Sequence, residues 1–204
     1  MTRHPALALL EFDSVAAGIA AADAMTKQAP IALLRCGTVH PGRYLVLLGG
    51  SVASVQEAHA LGVQFDFLAE EVLLPDVHEQ VYDAALGSRR DLEAEALGVL
   101  ETTRAPAILH ASDAAVKGAD VDIAEIRFSD DLGGRAFAFF DGPLHEVEAA
   151  LEIGSGRLQS EQVVACRLLP RLDDNLRQLL VKATRFGEVE GLEPEGAEES
   201  HVSG

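Results

Sequence analysis

The apolar and polar positions of the chain predict the same succession of strands and helices twice. In the first half, an apolar strand over Ala6–Phe12 precedes a helical pattern that begins after Ser14, a residue type that caps helix N-termini, and continues to residue 28. The remaining predicted elements of this half are strands over residues 31–38 and 43–48, a helix over residues 51–61 that ends at Gly62, and a strand over Leu68–Leu74.

The second half repeats this order from Ala96 onward. Its predicted elements are a helix capped by Thr103 with Pro106 in the first turn, strands over residues 121–128 and 135–140, a helix over residues 143–153 that ends at Gly154, and a strand over Val163–Leu169. The last strand of each half continues past a proline into a short helix.

The residues themselves repeat as well. Residues 6–11 return as residues 96–101 at an offset of 90, and Asp23 and Lys27 return as Asp113 and Lys117 at the same offset. The segment 73–75, Leu-Leu-Pro, returns as residues 168–170 at an offset of 95. Ordered matches with small slips in loops indicate a tandem duplication.

The repeated order predicts an α+β fold with two tandem split-βαβ, ferredoxin-like domains. We place the first domain at residues 5–88 and the second at residues 92–184. The join between them is too short to separate the halves, so the domains should pack side by side. Residues 187–204 are rich in glutamate and poor in apolar groups, which predicts an acidic disordered tail.

Charge and cysteine content narrow the possible functions. The 204-residue chain carries 16 lysines and arginines against 33 acidic residues, a formal net charge of −17, which disfavours nucleic acid and anionic membranes as partners. No apolar run approaches the roughly 20 residues that span a bilayer, and no signal-peptide core is present, so we expect a cytoplasmic protein. Cys36 and Cys166 lie in strand patterns and are interpreted as buried, reduced thiols.

An ordered set of motifs occurs in each copy: a strand ending in Leu-Glu, a helix with Asp-Ala-x-x-Lys, a hairpin containing glycine, and a closing Leu-Leu-Pro. This set resembles the bacterial microcompartment shell domain, in its non-permuted order, over residues 5–183. Two copies in one chain resemble the tandem-domain shell proteins that form trimers. The family's closing Pro-Arg-Pro-His-like segment is incomplete here, because Asp76 replaces its arginine in the first copy and Leu172 and Asp173 follow Arg171 in the second.

The resemblance implies a structural tile: a homotrimer that imitates a hexameric disc, contacts other shell proteins at its edges and passes small metabolites through a central pore. The pore would be lined by the two hairpin loops, Val39, His40, Pro41, Gly42, Asp130, Asp131, Leu132, Gly133 and Gly134. The tile edge would carry Lys27, Lys117, Arg171 and His78. Localisation would be the shell of a cytoplasmic microcompartment.

His40 occupies the position where some tandem shell proteins carry a cysteine that binds an iron–sulfur cluster, so no cofactor is predicted. Three imidazoles around an axis could instead hold a divalent metal. The favoured hypothesis is a hydrated polar constriction made by His40 with Asp130 or Asp131, which would gain positive charge on mild acidification.

No nucleophile–base set and no recognised metal-ligand spacing occur in the sequence, so an enzyme is not predicted. Two other functions remain open at this point. One is a duplicated ferredoxin-like module that senses a small molecule, and the other is a shell protein that transfers electrons through a metal or cluster at the pore.

Overall fold

The computed structural model describes residues 3–129 and 131–192. The first domain contains β1 (Ala6–Phe12), α1 (Val15–Gln28), β2 (Leu33–Val39), β3 (Arg43–Gly50), α2 (Val52–Gly62), β4 (Leu68–Leu74) and α3 (Glu79–Ala85). The second contains β5 (Ala96–Thr102), α4 (Ala105–Gly118), β6 (Asp122–Phe128), β7 (Ala136–Gly142), α5 (Leu144–Ser155), β8 (Val163–Leu169) and α6 (Asp174–Lys182). Short 3-10 turns lie at Ser160–Gln162 and Phe186–Glu188.

Each domain is built on a four-stranded antiparallel sheet. The strand orders, β2-β3-β1-β4 and β6-β7-β5-β8, are the same in both domains. The central pairs keep equivalent registers, with Ala6 opposite Gly50 in the first sheet and Ala96 opposite Gly142 in the second. This identity of order and register confirms the duplicated α+β fold and its non-permuted element order.

Strand β1 is buried on both faces because helices cover the sheet from two sides. Ala8 and Leu10 pack in one apolar cluster with residues of α1 and α2, whereas Leu7 and Leu9 point the other way and share a cluster with Val81 of α3. The prediction of helices on one sheet face therefore holds for the two long helices of each domain, and the short third helix covers the opposite face.

Local capping differs from the sequence prediction at one helix. Ser14 caps α1 as expected and accepts a hydrogen bond from the Ala17 amide. Thr103 does not cap α4, because its amide and hydroxyl both donate to the Gln162 carbonyl, and Arg104 takes the N-cap position without a side-chain cap. Helix α5 continues one residue past Gly154, to Ser155.

The prediction of buried thiols is wrong for both cysteines. Cys36 is exposed and Cys166 is half-buried. Cys36 lies on β2, an edge strand of the first sheet, and no further strand of the described chain pairs with its outer side. A strand pattern in the sequence does not distinguish an edge strand from a central one.

Most of the predicted acidic tail, residues 193–204, lies outside the described residues. Among the helices that the structure describes, none is long and apolar enough to cross a bilayer.

Gly62 provides a test of the packing between α1 and α2. A Cβ atom there would lie 2.4 Å from the sulfur of Met25 and 2.8 Å from Cδ2 of Leu10, both fully buried side chains. We expect Gly62→Ala to lower the free energy of unfolding by about 1–3 kcal/mol through overpacking. Urea unfolding should show this loss. Gly187→Ala, which meets no atom within 4 Å, should leave the midpoint unchanged, and equal midpoints for both variants would contradict the packing described.

Candidate pore loops and the seam between the domains

The first predicted pore loop is a tight turn between β2 and β3. The His40–Pro41 peptide bond is cis, Gly42 has a φ of 87°, and its amide donates to the Val39 carbonyl at 3.1 Å. His40, Pro41 and Gly42 are exposed, whereas Val39 is half-buried. The positive φ of Gly42 explains the glycine at this position.

The second predicted pore loop connects β6 and β7. The Ser129 amide donates to the Arg135 carbonyl at 2.8 Å, and the Leu132 amide donates to the Ser129 carbonyl at 3.1 Å. Asp131 and Gly133 are exposed and Leu132 is half-buried. Asp130, which was also predicted to line the pore, lies outside the described residues.

The two loops touch each other although they are far apart in the sequence. Nη1 of Arg43, directly after the first loop, donates to the carbonyl oxygen of Gly134 at 3.0 Å. Gly134 is buried by this contact and has a φ of 88°, and a Cβ there would lie 2.5 Å from Nη1 of Arg43. Close approach of two loops, and not turn geometry alone, therefore requires this glycine.

Behind the loops, a buried carboxylate joins the domains. Glu11 is 0% exposed, and its oxygens accept hydrogen bonds from the Ala105 amide at 2.9 Å, from Nη1 of Arg43 at 2.8 Å and from Nη1 of Arg104 at 3.0 Å. The Ala105 amide is the first of α4, so the carboxylate lies at the positive end of that helix. Burial raises the pKa of Glu11, and the three donors counteract this only in part.

Arg104 also holds the neighbouring acid. Its guanidinium donates to Oδ1 of Asp13 at 3.0 Å and to Oδ2 at 3.3 Å, and these hydrogen bonds lower the pKa of Asp13 below its usual value. Arg104 belongs to the second domain, whereas Glu11 and Asp13 belong to the first. The network therefore fixes the position of one domain relative to the other.

Glu11, Arg43 and Arg104 were not among the residues predicted from the sequence to form a site. A signal existed: Glu11 is an acidic residue in an otherwise apolar strand, and the duplication repeats it as Glu101. An acid that interrupts a buried strand in both copies indicates a specific partner.

Two of the predicted tile-edge residues take part in a contact within the chain. Lys117 donates to the Asp76 carbonyl and pairs with Asp113 at 2.7 Å, while Oδ1 of Asp113 accepts from the His78 amide at 2.8 Å. Helix α4 thereby binds the segment that follows β4 of the first domain. This contact of Lys117 and His78 between the domains was not predicted from the sequence.

The other two predicted edge residues have no such contact. Lys27 is largely exposed and pairs with Asp23 of its own helix at 2.6 Å, and Arg171 is exposed. Contact of any of the four residues with a neighbouring tile stays a prediction. Within residues 3–129 and 131–192, no group of three or more His, Cys, Asp or Glu side chains is placed to hold a metal. His40 as a ligand would need further copies of the chain.

Comparison with known proteins identifies the architecture. The BMC domain model matches residues 6–74 and again residues 96–172, so each sheet with its helices is one such domain. The chain belongs to the BMC-domain family of bacterial microcompartment shell proteins. A structural role in a shell, and no catalytic one, follows from this membership.

Named relatives agree with this assignment. The chain is 31% identical to the bacterial microcompartment shell protein PduT of Citrobacter freundii over 180 residues, covering 87% of this chain and 98% of the relative. It is 27% identical to the carboxysome assembly protein CcmO of Synechocystis over 88% of this chain and 65% of the relative.

Solved structures show the same fold. A microcompartment protein from Desulfitobacterium hafniense DCB superposes with a TM-score of 0.76 at 34% identity, covering 85% of this chain and 98% of that one. A fused permuted hexameric shell protein of the RMM microcompartment superposes with a TM-score of 0.53 at 18% identity, over 74% of this chain and 80% of that one, a similarity of fold alone.

Replacement of the buried Glu11 carboxylate directly tests the contact between the two domains of this BMC-domain protein. Glu11→Ala would leave the guanidinium groups of Arg43 and Arg104 and the Ala105 amide without their shared acceptor. We expect the free energy of unfolding to fall by about 3 kcal/mol or more, the usual cost of breaking a buried ion pair. Glu57→Ala, which removes an exposed carboxylate that accepts from Gln28, should cost less than about 0.5 kcal/mol. Denaturant titration compares them, and an equal, small cost would show that Glu11 does not hold the domains.

Proposed function

We propose that this shell protein assembles as a ring of three chains, a pseudo-hexameric disc with a central pore lined by the two hairpin loops. The observation that supports this proposal is an asymmetry between the copies. Each domain contributes a different surface to the contact between the two domains. The equivalent surface on the other domain is exposed.

Helices α1 and α4 carry the clearest example. Leu109 of α4 is 0% exposed because α4 packs against β4 and β1 of the first domain. Its counterpart in α1 at the offset of 90 residues, Ile19, is 51% exposed. An exposed isoleucine at the position of a fully buried leucine favours a second copy as its cover.

Two further apolar pairs follow the same rule. Val81 of α3 is buried, and its counterpart in α6, Leu176, is exposed. Ile123 of β6, opposite Phe140, is buried, and Leu34 of β2, in the equivalent position opposite Leu48, is exposed. The first domain therefore exposes the α1 and β2 side of the contact, and the second domain exposes the α6 side.

The ion pair that Glu11 forms with Arg43 is also repeated in the second domain. Glu101 pairs with Arg135 at 3.2 Å, as Glu11 pairs with Arg43, but the Glu101 side chain is 32% exposed, whereas that of Glu11 is fully buried. A second copy that brings Val15, the first residue of α1, to Glu101 would supply the amide that Ala105 supplies to Glu11. The exposed halves thus match in this hydrogen bond and in apolar area, while Ser14 stands at the position equivalent to Arg104.

Two different, complementary surfaces on one chain make a head-to-tail contact, which closes into a ring or continues as a filament. The tandem-domain shell proteins that this chain resembles form trimers, which supports closure after three chains. Because the two loops meet through Arg43 and Gly134, each chain would bring both to the axis. His40 and Asp131, both exposed, would then face a pore for small metabolites, and the outer rim would meet other shell proteins.

Ile19→Asp should prevent this assembly, because it places a charge in the apolar part of the seam. We expect the parent protein to have the mass of three chains at micromolar concentration and Ile19→Asp to have the mass of one, by static light scattering in low-salt buffer. Leu144→Asp is the matched control. Leu144 is also an exposed apolar helical residue, but, unlike Ile19, it has no counterpart at the contact between the domains.

A monomeric parent protein would overturn the ring. A compact dimer whose stability depends on a ligand would instead favour the sensor function. Equal masses for Ile19→Asp and Leu144→Asp would show that the contact uses a different surface.

His40 should contribute to anion binding in the pore, because an imidazole N–H can donate a hydrogen bond to an anion at the constriction. Bromide occupancy on the three-fold axis, measured by anomalous diffraction, should be equal in the parent and in His145→Ala, which removes an exposed histidine outside the loops. It should be lower in His40→Ala, and an equal occupancy in that variant would exclude His40 as the anion-binding group.

A further inference from the structure

A cavity of about 500 Å³ lies between the two domains, on the α3 side of the first sheet. Its floor is apolar and includes Leu9, Leu45 and Leu47, while β6 and the segment that follows α6 contribute its walls. The volume falls in the range of sites for small organic ligands.

The walls of this cavity are unusually basic for so acidic a chain. Four arginines line it, Arg35, Arg89, Arg127 and Arg185, against two acids, Glu125 and Glu188. The whole chain has 16 basic and 33 acidic residues, so the local balance is opposite in sign to the overall one.

Two of the four arginines are neutralised by the acids of the same cavity. Nε of Arg89 lies 3.2 Å from Oε2 of Glu125, and Nη1 of Arg185 lies 3.6 Å from Oε1 of Glu188. These pairs use both acids that line the cavity, although Glu125 also accepts a hydrogen bond from the Thr184 hydroxyl.

The other two arginines bind only uncharged groups. Nη1 of Arg35 donates to the Leu86 carbonyl at 3.2 Å, and Nη1 of Arg127 donates to the Thr184 hydroxyl at 3.1 Å. The guanidinium of Arg127 lies over the ring of Phe137 at 5.1 Å, and its Nε is buried without an acceptor. No carboxylate in the described part of the chain lies within ion-pair distance of either arginine.

We propose that this cavity binds a small organic anion through Arg35 and Arg127, with a carboxylate or a phosphate as the recognised group. A planar guanidinium matches either group with paired, charge-assisted hydrogen bonds. The apolar floor contacts the carbon skeleton of the ligand. The cavity borders the predicted pore loops, since Val39 lines it and Nε of Arg185 lies 3.9 Å from Oδ2 of Asp131, but it is formed within one chain and needs no second copy.

Isothermal titration calorimetry of the full chain tests this site, with succinate and inorganic phosphate as probes in buffers of equal ionic strength. We expect a saturable, one-to-one binding isotherm for at least one probe. Arg127→Gln and Arg35→Gln should each weaken binding at least tenfold. Arg157→Gln is the matched control, because Arg157 is exposed and lies outside the cavity.

Binding of succinate alone would identify a carboxylate site, and binding of phosphate alone a phosphoryl site. The proposal is overturned if neither probe binds the parent, or if all three variants bind as the parent does. If Arg127→Gln fails to fold, the exposed Arg35 still decides between these outcomes. Light scattering on the same samples separates this result from the assembly state, since loss of the ring leaves the cavity intact.

Discussion

The arrangement of the whole chain depends on one buried carboxylate. Glu11 is enclosed between the domains and accepts hydrogen bonds from two arginines and from the first amide of α4. A buried charge is tolerated only when its partners are in place, so this residue permits few alternative orientations of the second domain. Because Arg43 also binds Gly134, the same network brings the two hairpin loops together.

The duplication then has a consequence that a single domain would not have. Both copies carry the Glu–Arg pair and apolar residues of the contact between the domains, but two domains in one chain form that contact only once. Glu101 and Arg135 repeat Glu11 and Arg43 in a more exposed setting. An exposed apolar residue at the place of a buried one, as at Ile19, points to the surface that a second copy of the shell protein would cover.

The sequence was sufficient for the elements and their order, because the apolar periodicity of strands such as Ala6–Phe12 and the capping by Ser14 are local properties. It was insufficient for contacts between residues far apart in the chain. The residue type of Thr103 suggests a cap, but a bond to the Gln162 carbonyl competes for it. The family resemblance places Gly134 in a pore loop, whereas its burial under Arg43 depends on the other domain. Cys36 was expected inside because a strand pattern does not reveal an edge.

The distribution of charged residues, like these contacts, depends on the tertiary structure and not on the local sequence pattern. The sequence as a whole has a formal net charge of −17, yet the fold gathers four arginines around one cavity. The central claim is that a second copy of the chain covers the exposed surfaces that carry Ile19 and Glu101. An experimental structure of the assembled protein tests this claim most directly. It should place the Glu101 carboxylate within about 3.2 Å of the Val15 amide of a neighbouring copy, a normal hydrogen-bond distance. An assembly in which Glu101 and Ile19 both face solvent would contradict the account.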